Sequence, residues 1–330
     1  MSCFSILFVT ATLAVSTAAS AGYSGLYIFG DSLSDPGNLA AAIGADPTQV
    51  ISGNGYIPDR PYASQQFSNG DVWARTYASL MGLAASGQPF GAGGGNFAFG
   101  GARVTGDGPG KPPSLTTQKN IFLGATGGMA PSDALFVIEG GGNDARDTLA
   151  AAAVSNDPAG LIGPAALAYA SGIGNLVDQL QAAGAQHIVV WNVPNLGLAP
   201  AVTSLGAGAS FLGSLVTQSM NGALSARLAG ESGVTVFDLF GALTSFVSTP
   251  AAFGLTNVSD ACGATPGCDP STSLFWDGIH PTSAGHALLA QEMFVATVPE
   301  PADYMLMLGG LVVIGRYVGV RRRARGATAR

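Results

Sequence analysis

Only three histidines occur in the 330 residues, so a base that works near neutral pH has few candidates. His280 follows Asp277 by three positions in Asp277-Gly278-Ile279-His280-Pro281, a turn flanked by Gly and Pro. That spacing lets the carboxylate reach one imidazole nitrogen while the other faces outward. A serine hydroxyl is a poor nucleophile alone and needs such a base within hydrogen-bond distance. Ser32, on the Gly30-Asp31-Ser32 turn directly after an apolar run, is the natural partner. His187 precedes an apolar strand and His286 falls in a helix-compatible stretch, so both read as structural.

Acyl transfer has a second requirement, preorganised donors for a tetrahedral oxyanion, each typically worth about 3–4 kcal/mol of barrier. The backbone N–H groups of Ser32 and of one glycine in the Gly100-Gly101 pair, taken as Gly101, would supply two. The side-chain amide of Asn143 would supply a third, although Gly141-Gly142-Asn143-Asp144 is also an ordinary turn sequence. This chemistry calls for no metal and no cofactor.

The elements that must position these groups are short. Residues 25–29, 134–139, 187–193 and 234–238 are nearly continuous apolar runs, the pattern of strands buried on both faces of a parallel sheet. Helix-compatible stretches lie at 71–81, 164–183, 209–228 and 283–297. The alternation predicts one α/β domain, a three-layer α/β/α sandwich around a mostly parallel sheet. Ligands of such sheets bind beyond the carboxyl ends of the strands. Ser32 follows the first strand, Gly100-Gly101 follows a short strand at 97–99, and Asn143 follows the 134–139 strand. The loops 51–67 and 249–269 are expected to build the cleft wall.

Composition excludes other classes. Charged residues make up 10% and the chain holds 48 glycines, the opposite of a disordered chain. Six of the thirteen basic residues lie in the last fifteen positions, leaving seven against twenty acids over 1–315, a net charge of −13. Such a body would repel a phosphate backbone, so nucleic acid is not an expected partner.

The two ends read as processing segments. An apolar run at 3–16 precedes Ala19-Ser20-Ala21, the layout of a signal peptide over 1–21 cleaved before Gly22, although no Lys or Arg precedes the run. A buried N-terminal helix is the alternative. Near the other end an apolar run spans 304–315 and reaches 320 if Arg316 snorkels, the lower limit for a membrane span, before Arg321-Arg322-Arg323. Cys3 would leave with the signal peptide, and Cys262 with Cys268 reads as a local disulfide in an oxidising compartment.

The four blocks GDSLSDPGN (30–38), NFAFGGA (96–102), GGND (141–144) and DGIHP (277–281) resemble, in order, those of the SGNH hydrolases, specifically the GDSL lipase/esterase branch. PSLTTQ (113–118), VPNLG (193–197) and LFWDGIHPT (274–282) look like its extracellular phospholipase/lecithinase/haemolysin subgroup. The resemblance covers about residues 25–295. It implies Ser32 as nucleophile, His280 as base, Asp277 as its orienting partner, and Gly101 and Asn143 completing the oxyanion hole with Ser32. The implied activity is that of a serine esterase or lipase acting on lipid or other acyl esters. An exported carbohydrate O-acetylesterase acting on exopolysaccharide, or a non-catalytic surface protein on a hydrolase fold, stay open as alternatives.

The tail 298–330, with Val298-Pro299-Glu300-Pro301, resembles the PEP-CTERM sorting signal of Gram-negative bacteria. It implies a signal peptidase and an exosortase-type enzyme as processing partners, transient membrane association through the tail, and a cell-surface or extracellular product. A plain C-terminal membrane anchor is the alternative. Two departures from the subgroup stand out: Pro36 where Thr is usual, and Glu139 where an aromatic or apolar residue is usual.

Overall fold

Four short runs of apolar and aromatic residues form the strands of the computed structural model, which describes residues 22–55 and 59–297. They are β1 (Leu26–Phe29), β2 (Leu135–Ile138), β3 (His187–Trp191) and β4 (Val234–Phe237). All pair in parallel, in the order β1-β2-β3-β4, with Phe29 opposite Ile138 and Ile138 opposite Val190. Parallel neighbours need long crossovers, and helices fill them. The first crossover carries α1 (Asn38–Ile43), α2 (Trp73–Leu80) and α3 (Leu115–Ala125). The second carries α4 (Gly142–Ala153) and α5 (Pro158–Ala182), and the third α6 (Pro200–Thr203) and α7 (Ala207–Arg227). After β4 come α8 (Leu239–Ser248) and α9 (Ser283–Thr297).

Strand residues alternate between two packed faces. On one, Phe29, Phe136, Ile138 and Val190 join Phe122 of α3, Ile173 of α5 and Val216 of α7 in a buried cluster. On the other, Trp73 of α2 stacks on Trp191 of β3 with ring centroids 4.1 Å apart, and α2 packs against α9. The protein is therefore an α/β/α sandwich on a wholly parallel sheet. Among the described residues only α5 is long and apolar enough to cross a membrane, and its buried side is part of this core.

Three expectations change. β4 is not buried on both faces: Thr235 and Val236 are exposed, because β4 is an edge strand and α8, the helix that follows it, packs against α9. Residues 97–99 form no regular strand, although they bond to the free edge of β1. Phe97 N–H donates to Ile28 O at 2.8 Å and Phe99 N–H to Gly30 O at 3.1 Å. The approach is so close that a Cβ on Gly95 would sit 2.1 Å from Leu26 O. Helix α5 starts six residues before Pro164, where Asp157 caps Gly160 N–H at 3.0 Å and Pro158 takes the first position. The expected signal peptide (1–21) and sorting tail (298–330) lie outside the described residues.

Candidate active site

Ser32 leaves the carboxyl end of β1, and the turn that carries it is held by its own block. Asp35 accepts N–H bonds from Gly37 (2.8 Å), Asn38 (2.6 Å) and Leu39 (3.2 Å), fixing the start of α1. It also accepts from Gly100 N–H at 2.8 Å, which ties the Ser32 turn to the second glycine block. Asn38 reinforces that tie by donating to Asn96 O and Ala98 O. Burial still pushes the Asp35 carboxyl up to about 6, with the four N–H donors opposing it.

The Asp277-His280 turn brings its side chains to Ser32 across 248 residues of chain. His280 Nε2 lies 2.7 Å from Ser32 Oγ, and His280 Nδ1 lies 2.8 Å from Asp277 Oδ2. Asp277 caps its own turn, accepting from Ile279 N–H (2.8 Å) and His280 N–H (2.7 Å) through Oδ1. Its fourth donor is the hydroxyl of Tyr62, at 2.9 Å from Oδ2. Sequence reasoning missed Tyr62: a contact between residues 215 apart leaves no spacing signal, although the loop that carries it was expected at the cleft. Phe67 of the same loop covers the imidazole, with ring centroids 5.2 Å apart. Asp277 and His280 are fully buried, and Ser32 is 6% exposed.

The other motif residues converge on the same place. Gly100 N–H is already taken by Asp35, whereas the N–H groups of Gly101 and Ser32 donate to nothing among the described residues. Gly101 adopts φ +78°, a left-handed conformation that glycine reaches without strain. Asn143 lies in the first turn of α4, so GGND is a helix start here rather than a free turn. Its amide donates to Ala102 O at 2.8 Å and to Asp31 Oδ2 at 3.3 Å, and its Oδ1 accepts from Arg146 at 3.2 Å. Burial lowers Arg146 to about 10 and raises Asp144, on the same helix, to about 6.

A cleft of about 640 Å³ opens over Ser32, Gly101 and Asn143, with Phe67, Phe99 and Ile43 among its apolar walls. The 249–269 stretch does not line it, contrary to expectation. Its Cys262 and Cys268 are disulfide-bonded, and Cys262 N–H and Gly263 N–H donate to Phe275 O and Trp276 O. That loop braces the segment leading into Asp277 instead. His187 stacks edge-on against Tyr23 at the start of β3, the opposite end of the sheet from Ser32. His286 is buried in α9 with neither ring nitrogen hydrogen-bonded among the described residues, and burial lowers it to about 3.

The chain is similar to known proteins. The chain is 31% identical to Esterase EstA of Pseudomonas aeruginosa, over 83% of this chain and 46% of that protein. It is 25% identical to a GDSL esterase/lipase of Arabidopsis thaliana, over 82% of this chain and 88% of that protein. The chain spans about half the length of its Pseudomonas relatives. Phospholipase A1 from Streptomyces albidoflavus NA297 is a similar solved structure, with a TM-score of 0.44 and 16% identity over 83% of this chain and all of that one. The sequence profile of the GDSL-like Lipase/Acylhydrolase family matches residues 26–293, a span that holds all four strands and Ser32, Gly101, Asn143, Asp277 and His280: the chain belongs to that family.

Proposed function

We propose that the protein is a serine esterase that hydrolyses lipid or other acyl esters through an acyl-enzyme. The observation that carries this reading is the unbroken path from Ser32 Oγ, which lines the cleft, through His280 to Asp277, in bonds of 2.7 and 2.8 Å. His280 takes the Ser32 proton as Oγ attacks the ester carbonyl. The oxyanion forms against the open N–H groups of Ser32 and Gly101, and the Asn143 amide joins by sharing with it the N–H that makes the long bond to Asp31. His280 then protonates the leaving alcohol, and water, activated by the same imidazole, releases the acid.

The apolar cleft wall supports an apolar acyl chain as substrate. The esterase and lipase names of the relatives point the same way. The signal-like start and the PEP-CTERM-like tail support export with removal of both ends, as expected for the extracellular subgroup.

The test is hydrolysis of a p-nitrophenyl ester series, from acetate to palmitate, by the full chain and its Ser32→Ala variant. Ser32→Ala is expected to lose nearly all turnover and all labelling by a fluorophosphonate while keeping its fold. Retention of more than a few per cent of turnover overturns the nucleophile. A preference for acetate would turn the reading toward the O-acetylesterase, and a wild type inert to every ester and to the probe would turn it toward a non-catalytic surface protein.

A further inference from the structure

Beneath Ser32 lies a carboxyl that this chemistry does not use. Glu139 follows β2 and Asp31 follows β1, and they are 1% and 2% exposed. The parallel register sets them side by side, with Glu139 N–H donating to Phe29 O at 2.9 Å. Glu139 Oε2 accepts from Ser34 Oγ at 2.8 Å and from Asp31 N–H at 3.3 Å, and Ser34 Oγ is held in turn by Trp73 Nε1 at 3.0 Å. A Cβ on Gly30 would stand 2.9 Å from Glu139 Oε2, so the chain closes tightly over this oxygen. The two buried carboxyl groups stand close enough for the Asp31 charge to raise Glu139, which favours a proton on one of them.

The surroundings decide which one. Asp31 Oδ1 accepts from Leu33 N–H at 3.0 Å, and Oδ2 accepts from the Asn143 amide. Oδ2 also lies 3.4 Å from the Cβ position of Gly142, the first residue of α4, where the free N–H groups of the helix favour an anion. Arg146 of α4 faces Asp31 with positive charge beside the His280 imidazole, Asp144 of α4 opposes it, and Tyr169 of α5 faces both carboxyl groups. Glu139 accepts from Ser34 and from the Asp31 backbone, with no cation beside it among the described residues. Burial and the Asp31 charge together hold it well above the usual carboxylate range.

We infer that Glu139 is a positioning residue of the esterase site: as a neutral acid it donates to the Asp31 carboxylate, which in turn orients the Asn143 amide and the turn carrying Ser32. The inference rests on the serine-esterase reading above. Ionising Glu139 would set two buried carboxylates against each other with no proton between them, and Asp31 would lose its hold on Asn143. The effect falls on the oxyanion side of the reaction, so it lowers kcat and leaves KM nearly unchanged.

The experiment measures kcat and KM of the full chain on one p-nitrophenyl ester from neutral to alkaline pH, for wild type, Glu139→Gln and Glu139→Leu. Gln keeps a donor for Asp31 and cannot ionise. It is expected to hold kcat within about threefold at neutral pH and to abolish the alkaline decline of the wild type. Leu removes the donor and is expected to lower kcat about tenfold at neutral pH, the loss of one hydrogen bond to a charged group. A Gln profile that superimposes on the wild type overturns the positioning role, whether or not the Leu variant folds, and so does a folded Leu variant with wild-type kcat. Activity that survives Ser32→Ala fells the esterase reading and this inference with it. An inert Ser32→Ala beside an unchanged Gln profile fells the inference alone.

Discussion

Two buried acid sites flank Ser32, and they solve the same electrostatic problem in opposite ways. Asp277 draws four donors onto one carboxylate: two N–H groups of its own turn, the Tyr62 hydroxyl and the imidazole of His280. Asp31 and Glu139 are just as deeply buried but divide their donors between two carboxyl groups; burial raises both, and Glu139, as inferred, keeps a proton that Asp31 accepts. Donors offset burial only in part, as Asp35 shows by staying raised to about 6 with four N–H groups on its carboxyl. The first site can orient and stabilise an imidazolium as it forms. The second can only hold geometry, and only while it keeps its proton.

Breaking the first site should cost most. Asp277→Asn keeps the shape of the side chain but presents an amide where His280 Nδ1 needs an acceptor, favouring the wrong tautomer. The expected outcome is a kcat lowered by about 10³–10⁴ with KM changed little, a loss typical of this substitution in serine triads. Steady-state kinetics on the best ester of the series measure it. A loss under tenfold would mean that His280 is oriented by its own backbone turn and not by the carboxylate.

Acid stability extends the comparison to other buried titratable groups. His286 is buried without a hydrogen-bond partner among the described residues and is lowered to about 3, so between about 6.5 and 3 the unfolded chain binds a proton that the folded chain refuses. Stability contributed by neutral His286 is therefore lost as pH falls, about 2–3 kcal/mol between pH 6 and 4 at roughly 1.4 kcal/mol per unit. Asp35 and Asp144, both raised to about 6, act in the other direction. Over the window from about 4 to 6 the folded chain keeps their protons while the unfolded chain has released them, so their contribution grows as pH falls. In the wild type the two trends oppose each other. His286→Leu should remove the first and leave a protein whose urea midpoint rises from pH 6 to pH 4. A midpoint that still matches the wild type at both values would show that His286 takes up a proton in the folded state.

How much of this could be read from the chain follows from the range of each interaction. The strand ends and their motif residues were legible because each apolar run is local and each functional residue follows it within a few positions. Asp277 with His280 was legible for the same reason. The hold of Gly100 on Asp35, which leaves Gly101 as the open donor, was not, because nothing local separates two adjacent glycines. The sequence reading took residues 234–238 as a buried strand because the run is nearly continuously apolar, but an edge strand needs a covering helix that the pattern cannot name. Glu139 showed only as an unusual residue; its partner follows another strand, and parallel register alone brings the two together.

The smallest expected effect tests whether the donors on Asp277 are redundant. Tyr62→Phe removes one hydroxyl and keeps the ring, which meets Trp276 edge-on with centroids 6.3 Å apart, so packing is preserved. Three donors remain on the carboxylate, and the lost bond is one to a charged acceptor. Its net worth of about 1.5 kcal/mol corresponds to kcat lowered about tenfold. Since Tyr62 touches Asp277 and not the ester, KM should stay within about twofold. Unchanged kcat would mean that the turn's own N–H groups suffice to hold Asp277, and the contrast between its four donors and the shared proton of Asp31 and Glu139 would then narrow to three. A loss approaching that of Asp277→Asn would mean that the Tyr62 hydroxyl sets the position of the carboxylate, making the 51–67 loop as much a part of the site as the turn that carries His280.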